Sequence, residues 1–365
     1  MIVNQWVPAA HAGDAVGDHT RGVRDLFRSW GLTSEIFAIT IDDALEGDVL
    51  PWTDPRARRG DVTLFQFATP SAMTAEFAAL PGRRMLQYHN ITPAHFLAPY
   101  DVNLARLAGL GRTELKSLTS STDLAAAASD YSRQELEALG FRATGVAPIL
   151  VDTGRLRAAE PMPALERVLQ DGLANILFVG RIAPNKKIED ILRMAEHYKR
   201  YVDAAYRFIF VGRTDVVPAY YTAVRSLVAE YRMLPERFLF PGEVPDRDLA
   251  TYYRNAHAYV SLSEHEGFCV PLVEAMAMDV PVLAYAGTAV PETLGGAGVS
   301  FAPKDLEQAA ELLGALIYDA PFRAGVLEGQ RRRVRDFDPA SVAASYRRLL
   351  ETVTSALTQS ASWRK

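Results

Sequence analysis

Two rhythms of apolar and polar residues alternate along the chain. Short apolar runs recur as IVNQWV, EIFAI, VTLFQF and RRMLQYH, then as ILFVGR, RFIFVGR, RFLFPGEV, HAYVSLS, VPVLAYA and GVSFA. Between them lie stretches whose apolar residues fall three and four apart, such as Val23, Leu26, Phe27 and Trp30, with Gly31 placed to stop that helix. Strands that are apolar on both faces, separated by amphipathic helices, predict parallel sheets covered by helices on each side. A helix is expected around Leu104 to Leu118, DLAAAAS reads as a strand, and Ser132 with Glu135 reads as a capping box for SRQELEALG. GVAPILV closes the first half.

The stretch from Asp152 to Gly172 holds Pro, Arg and Glu in irregular order with one short helical piece, ALERVL, and reads as a linker. From Pro339, the residues Val342, Tyr346, Leu349, Leu350 and Val353 give a last helix an apolar face that needs a partner. The tail SASWRK is expected to be disordered. These patterns divide the chain into residues 1–155, residues 156–340 and a final helix over 341–365.

Composition narrows the partners. A chain of 365 residues is too long for one ordinary core and suits two α/β domains. A formal charge of -5 disfavours nucleic acid as a partner. The single cysteine, Cys269, excludes an internal disulfide and a cysteine metal cluster, and reads as a small buried side chain. The N-terminus lacks the pattern of a signal peptide, and no apolar run approaches the length needed to cross a bilayer. A cytoplasmic protein is expected. Peripheral contact at the inner membrane face stays open, because a lipid-linked acceptor would require it and Arg56, Arg58 and Arg59 form a local basic cluster.

The candidate chemistry centres on Ser263 to Glu292. A strand leads into a glycine turn, then into a helix expected to open at Pro271 and to carry Glu274 in its first turn. Backbone amides over Gly267, Phe268, Cys269 and Val270 suit a phosphate, since the first N–H groups of a helix have no intrahelical acceptor. Glu266 and Glu274 bracket the turn at E-x7-E spacing, and carboxylates suit sugar and ribose hydroxyls. That spacing alone is weak; its setting between a buried strand and a Pro-started helix makes it informative.

EGFCVPLVEAMA resembles the signature of retaining glycosyltransferases of the GT-B fold, family 4. GRIAPNKK is similar to that family's G-R-x-x-P-x-K loop, which implies Arg181 and Lys186 as contacts of the donor diphosphate. Lys187 stands where a glycine is common. PGEV resembles the loop that cradles the nucleotide base, with backbone groups of Glu243 and Val244; Gly212 and Arg213 would line the same pocket. A lone histidine after an apolar run is usually structural. The resemblance nevertheless implies that His89 reaches the donor sugar, while His11, His19 and His95 receive no such role. Gly13 and Gly17 match a glycine-bearing loop near donor and acceptor, although GDAVG departs from the commoner GG-x-G form and fails the G-x-G-x-x-G dinucleotide spacing.

Asp42–Asp43 reads as solvated, and no metal site is expected. The resemblance implies two Rossmann-like domains with a cleft between them, the last helix crossing back to the first. It implies transfer of mannose or another hexose from a GDP-, UDP- or other nucleoside-diphosphate sugar. The acceptor would be a hydroxyl of a saccharide or lipid-linked saccharide, with configuration retained, and neither metal nor cofactor would be required. Glu274 would hold the ribose, Glu266 the sugar, and the leaving phosphate would help take the acceptor proton. The alternatives are a nucleotide-sugar epimerase or phosphorylase of the same fold, and a non-catalytic nucleotide-sugar-binding protein.

Overall fold

The computed structural model describes the backbone of residues 1–362 and side chains as far as Ser355. It resolves into two compact units. One comprises Met1–Ala94, Asn103–Leu150 and the chain from Phe337 onward; the other comprises His95–Val102 and Val151–Asp336.

The first unit holds seven strands: β1 Val3–Ala10, β2 Ile36–Ile41, β3 Leu50–Pro51, β4 Val62–Phe67, β5 Arg83–Tyr88, β6 Leu124–Ala127 and β7 Thr144–Val146. All pair in parallel, in the order β3-β2-β1-β4-β5-β6-β7. The second unit holds six: β8 Ala174–Val179, β9 Tyr206–Val211, β10 Phe238–Gly242, β11 Ala258–Ser261, β12 Val282–Tyr285 and β13 Val299–Phe301. They too are parallel, in the order β10-β9-β8-β11-β12-β13. Central strands such as β4 and β9 are buried at every position, their apolar runs interrupted only by the buried Thr63, Gln66 and Arg207.

The final helix, Pro339–Ser362, completes the first unit's core. Val342, Tyr346, Leu350 and Val353 share a buried cluster with Val3, Val23, Phe27 and Val62. Each such side chain contributes about 1.5–3 kcal/mol on full burial. Gly145 is the point of closest approach: a Cβ there would lie 2.4 Å from Leu349 Cδ2. His19 pins the same helix. Its Nδ1 accepts the Leu150 N–H at 3.1 Å, so the proton sits on Nε2, which donates to the Tyr346 hydroxyl at 2.8 Å. Of the tail SASWRK, Ser360–Ser362 continue the helix and the rest lies outside the described residues.

Two local expectations fail. The helix over SRQELEALG begins earlier, as Asp130–Leu139, and its cap is Ser129, whose Oγ accepts the Ser132 N–H at 3.2 Å. The chain leaves β6 extended through Ser129, so the capping geometry arises three residues before Ser132. Glu135 then turns to tertiary partners, the Tyr88 hydroxyl at 3.0 Å and Arg112. The stretch Asp152–Gly172 is no irregular linker either, since it forms the helices Thr153–Ala158 and Pro163–Leu169 within the second unit. Asp152 caps the first helix by accepting from Arg155 N–H, and proline starts the second.

Candidate active site

In the second sheet the chain runs outward from β8 to β9 and β10, then returns to lay β11 on the other side of β8. The two loops leaving the carboxyl ends of β8 and β11 therefore diverge, and the crevice between them is where open α/β sheets bind ligands. Hydrogen bonds and ion pairs span it here. The Glu264 N–H donates to the Asn185 carbonyl at 2.9 Å, Asn185 Nδ2 donates to the His265 carbonyl at 3.0 Å, and Lys186 Nζ meets Glu266 Oε1 at 2.6 Å. Both charged partners are largely buried, so their attraction is weakly screened.

Arg181 lies on the same loop with its side chain exposed. Among the described residues its guanidinium forms no hydrogen bond or ion pair. Lys187 has φ 53° and ψ 49°, in the left-handed region where glycine is the easy choice. Its ammonium lies 3.4 Å from both Glu189 and Glu264, which offsets the strain of a lysine in that conformation. Lys304 reaches Glu264 at 3.0 Å and Asp190 at 2.6 Å, extending the charged network.

The helix after β11 is Val270–Ala277, entered through Cys269 at φ 72°. Pro271 has no N–H, and the Leu272 N–H closes onto the Cys269 carbonyl at 3.1 Å. Neither of these two positions then offers an amide to an anion. Glu266 is anchored by its own N–H, which donates to Thr288 Oγ1 at 2.8 Å. Burial among apolar neighbours, reinforced by Glu266, pushes the Cys269 thiol well above its usual pKa, so it remains protonated. Glu274 is the fifth residue of the helix, in its second turn and not its first. It is buried, and burial raises its pKa against the opposing pull of Arg155 and Tyr253.

Gly212 follows β9 at φ 138°, and a Cβ there would sit 2.1 Å from the Gly180 carbonyl oxygen. Only glycine lets the ends of β8 and β9 approach so closely there. Arg213 forms a two-pronged pair with Asp215, both bonds 3.0 Å, on an exposed surface. Glu243 and Val244 follow β10 after Gly242, with Glu243 exposed. The carboxyl edge of this one sheet thus collects the loops carrying Arg181, Lys186, Gly212, Arg213, Glu243, Val244 and Glu266–Glu274.

Residues 166–333 match the model of the glycosyl transferases group 1. The second unit carries a group 1 glycosyl transferase domain. Over 163 residues the chain is 29% identical to O-antigen chain mannosyltransferase B of Escherichia coli, covering 44% of this chain and 42% of that protein. It is 36% identical over 104 residues to the MMP alpha-(1->4)-mannosyltransferase of Mycolicibacterium hassiacum, covering 27% of this chain and 25% of that one. These matches span less than half of either relative. Among solved structures, Anabaena HepE in complex with UDP-glucose aligns with a TM-score of 0.76 at 16% identity, over 97% of this chain and 100% of that one. Sucrose-phosphate synthase from Thermosynechococcus elongatus aligns with a TM-score of 0.72 at 17% identity, over 97% and 99%. At such identities the likeness shows the fold alone, the GT-B architecture of paired parallel-sheet units.

One residue in contact with Glu274 escaped sequence reasoning and lies ahead of the matched stretch. Arg155, on the helix Thr153–Ala158, donates from Nη2 to Glu274 Oε1 at 3.2 Å and from Nη1 to Asp246 Oδ1 at 2.6 Å. A helix pattern over TGRLRA, capped by Asp152, was the only signal available for it.

In the first unit the corresponding reversal lies between β1 and β4. Gln5 Nε2 donates to the Thr20 carbonyl at 3.0 Å, Gln66 Nε2 donates to Gln5 Oε1 at 2.8 Å, and Gln66 Oε1 lies 2.7 Å from His89 Nε2. Each amide is oriented by the one before it, so the His89 proton sits on Nε2. Burial lowers the His89 pKa to about 4, and the ring is neutral at pH 7. His19 lies 5.4 Å away, ring to ring, with its pKa also lowered by burial.

Gly13 has φ 77°, and Gly17 is buried in the first turn of the helix Ala15–Ser29, where a Cβ would lie 2.7 Å from the His11 carbonyl. Asp14 caps that helix through the Val16 and Gly17 N–H groups. Of the basic cluster, Arg56 pairs with Asp54 at 2.7 Å, while Arg58 pairs with Glu76 at 2.5 Å and stacks 4.9 Å from the Trp52 ring. Among the described residues no helix is long and apolar enough to cross a membrane.

Proposed function

We propose that the protein moves a hexose, mannose first among the candidates, from a nucleoside-diphosphate sugar to an acceptor hydroxyl with retention of configuration. The acceptor is a saccharide or lipid-linked saccharide in polysaccharide or glycolipid assembly, reached from the cytoplasm. The observation that carries this reading is the Lys186–Glu266 pair across the β8/β11 crevice, with Arg181 beside it. The mannosyltransferase names of the relatives favour mannose.

In this reading Lys186, Arg181 and the amides at the start of the helix Val270–Ala277 bind the diphosphate. The bond between the anomeric carbon and the phosphate oxygen breaks, and the electron pair leaves with the nucleoside diphosphate. Two fixed cations stabilise that charge as it develops. The acceptor oxygen bonds to the same face of the carbon, and its proton passes to the departing phosphate oxygen. Glu266 orients the sugar hydroxyls and Glu274 the ribose, while backbone groups of Glu243 and Val244 meet the base. His89, neutral and fixed in one tautomer, is the first unit's candidate for the role that the resemblance implies. With cations supplied by side chains, the chemical step needs no divalent ion.

Thermal-shift measurements with GDP, UDP and other nucleoside diphosphates test the binding half, because a ligand bound only by the folded state raises the unfolding midpoint. Product analysis with GDP-mannose and a saccharide acceptor tests the transfer half. Stabilisation by no nucleotide would overturn the proposal. Alteration of the donor sugar without any acceptor would favour an epimerase.

A further inference from the structure

A carboxylate buried as deeply as Glu274 remains ionised only with compensation. Two residues outside the E-x7-E motif supply it. Arg155 Nη2 donates to Oε1 at 3.2 Å, and the Tyr253 hydroxyl donates to Oε2 at 3.0 Å. The helix bearing Arg155 is itself clamped in place. Arg157 donates twice to the Ala277 carbonyl, at 3.0 and 2.9 Å, and Arg254 donates to the Leu156 and Arg157 carbonyls at 3.2 and 2.9 Å. Leu156 between them is fully buried. Asp246 takes the other arm of Arg155, which fixes the guanidinium in the fork between two carboxylates.

A carboxylate offers two lone pairs on each oxygen. Arg155 occupies one on Oε1 and Tyr253 one on Oε2, which leaves one acceptor position on each. Two adjacent hydroxyls fit that arrangement. Protonation would turn one oxygen into a donor and destroy it. We infer that Arg155 is a positioning residue, aided by Tyr253, that keeps Glu274 a carboxylate and aims its two remaining lone pairs at the 2′- and 3′-hydroxyls of the donor ribose. This rests on the nucleotide-binding reading above.

The groups facing Glu274 are Arg155, Tyr253 and Asp246, with the buried hydroxyl of Tyr259 on β11 also nearby. Arg155 is the one cation among them. Without it, burial and the negative charge of Asp246 both favour the protonated acid. Ribose binding then becomes pH-dependent: weak where Glu274 is neutral, and recovering as pH rises through its elevated pKa.

The experiment is calorimetric titration of GDP and UDP, and of their 2′-deoxy counterparts, from about pH 6 to 8.5. The unsubstituted chain is expected to prefer the ribonucleotide equally across the range. Arg155→Met is expected to lose about tenfold or more in ribonucleotide affinity at pH 6, less at pH 8.5, and much less toward the 2′-deoxy nucleotide. Arg155→Lys restores the flat profile. Equal losses toward ribo- and deoxyribonucleotides at every pH would reduce Arg155 to a structural role and overturn the inference. Should Arg155→Met fail to fold, Arg155→Lys and the unsubstituted chain still decide, since a ribose preference that disappears at pH 6 in either overturns it. No nucleotide binding by the unsubstituted chain would overturn the functional reading itself, and the inference with it.

Discussion

The two sheets reverse direction in the same way and bridge the reversal by different means. Between β8 and β11 the two neutral bonds of Asn185 are joined by an ion pair, Lys186 with Glu266, inside a wider network of Lys187, Glu264, Lys304 and Asp190. Between β1 and β4 the bridge is a chain of neutral groups, Thr20, Gln5, Gln66 and His89. A neutral relay satisfies buried polar atoms at little electrostatic cost, whereas desolvating charges is expensive unless they are closely paired. Amides suffice to close the first unit's crevice, and the second adds charges to its amides. Those charges suit the anionic diphosphate proposed above, which would exchange partners with them.

The sharpest way to break this comparison is to remove the cations. Arg181→Ala and Lys186→Ala are each expected to reduce transfer roughly a hundredfold or more. They should differ in stability. Arg181 is exposed and unpaired among the described residues, so its loss leaves the unfolding midpoint unchanged, while Lys186→Ala strands a buried Glu266 at about 3 kcal/mol. Near-normal turnover in either variant would put the diphosphate elsewhere.

The two glutamates sharpen it further. Glu274→Gln is expected to weaken the bare nucleoside diphosphate about tenfold, and Glu266→Gln to leave that affinity nearly intact while cutting transfer. Calorimetry with nucleotide and with full donor separates the two, and equal losses of nucleotide affinity would contradict the division of roles.

A smaller effect is expected in the neutral relay. Gln66→Leu removes the acceptor that fixes His89, so transfer should fall several-fold with nucleotide affinity unchanged; imidazole nitrogen NMR would report mixed tautomers. The buried histidines also set an acid limit. Their folded pKa values lie below the unfolded value of about 6.5, so the unfolded chain binds the extra protons. Stability is full above that value and declines as pH falls toward about 4. Unfolding midpoints at pH 7 and 5 should show the loss, and His19→Gln should blunt it. The smallest expected effect is that of EDTA, which should leave the rate of transfer unchanged.

What was legible in the sequence is what depends on neighbours along the chain. The apolar runs of the second half mark all six of its strands because burial on both faces of the inner strands leaves few polar positions, among them Asn175, Arg207 and Ser261. The Arg181–Lys186 loop and the E-x7-E turn are legible for the same reason, each being a local run of residue types. Lys187 is instructive: the glycine usual at its position reflects a left-handed backbone, and only the structure reveals the acidic partners that let a lysine take it. Arg155 was hidden because its partners, Asp246 and Glu274, lie far along the chain. The Ser129 cap was hidden by a plausible rival three residues on, and Glu135 by a tertiary partner stronger than the capping position offered.

The last helix bears on how the chain is made. A newly synthesised domain ordinarily folds as its own residues emerge, the earlier one first. Here the first unit's core lacks Val342, Tyr346, Leu350 and Val353 until after all of the second unit's strands have been made. The order of birth and the order of folding are therefore opposed. The first unit must wait, with its apolar β1 and β4 faces incompletely covered, for residues made after the whole of the second sheet.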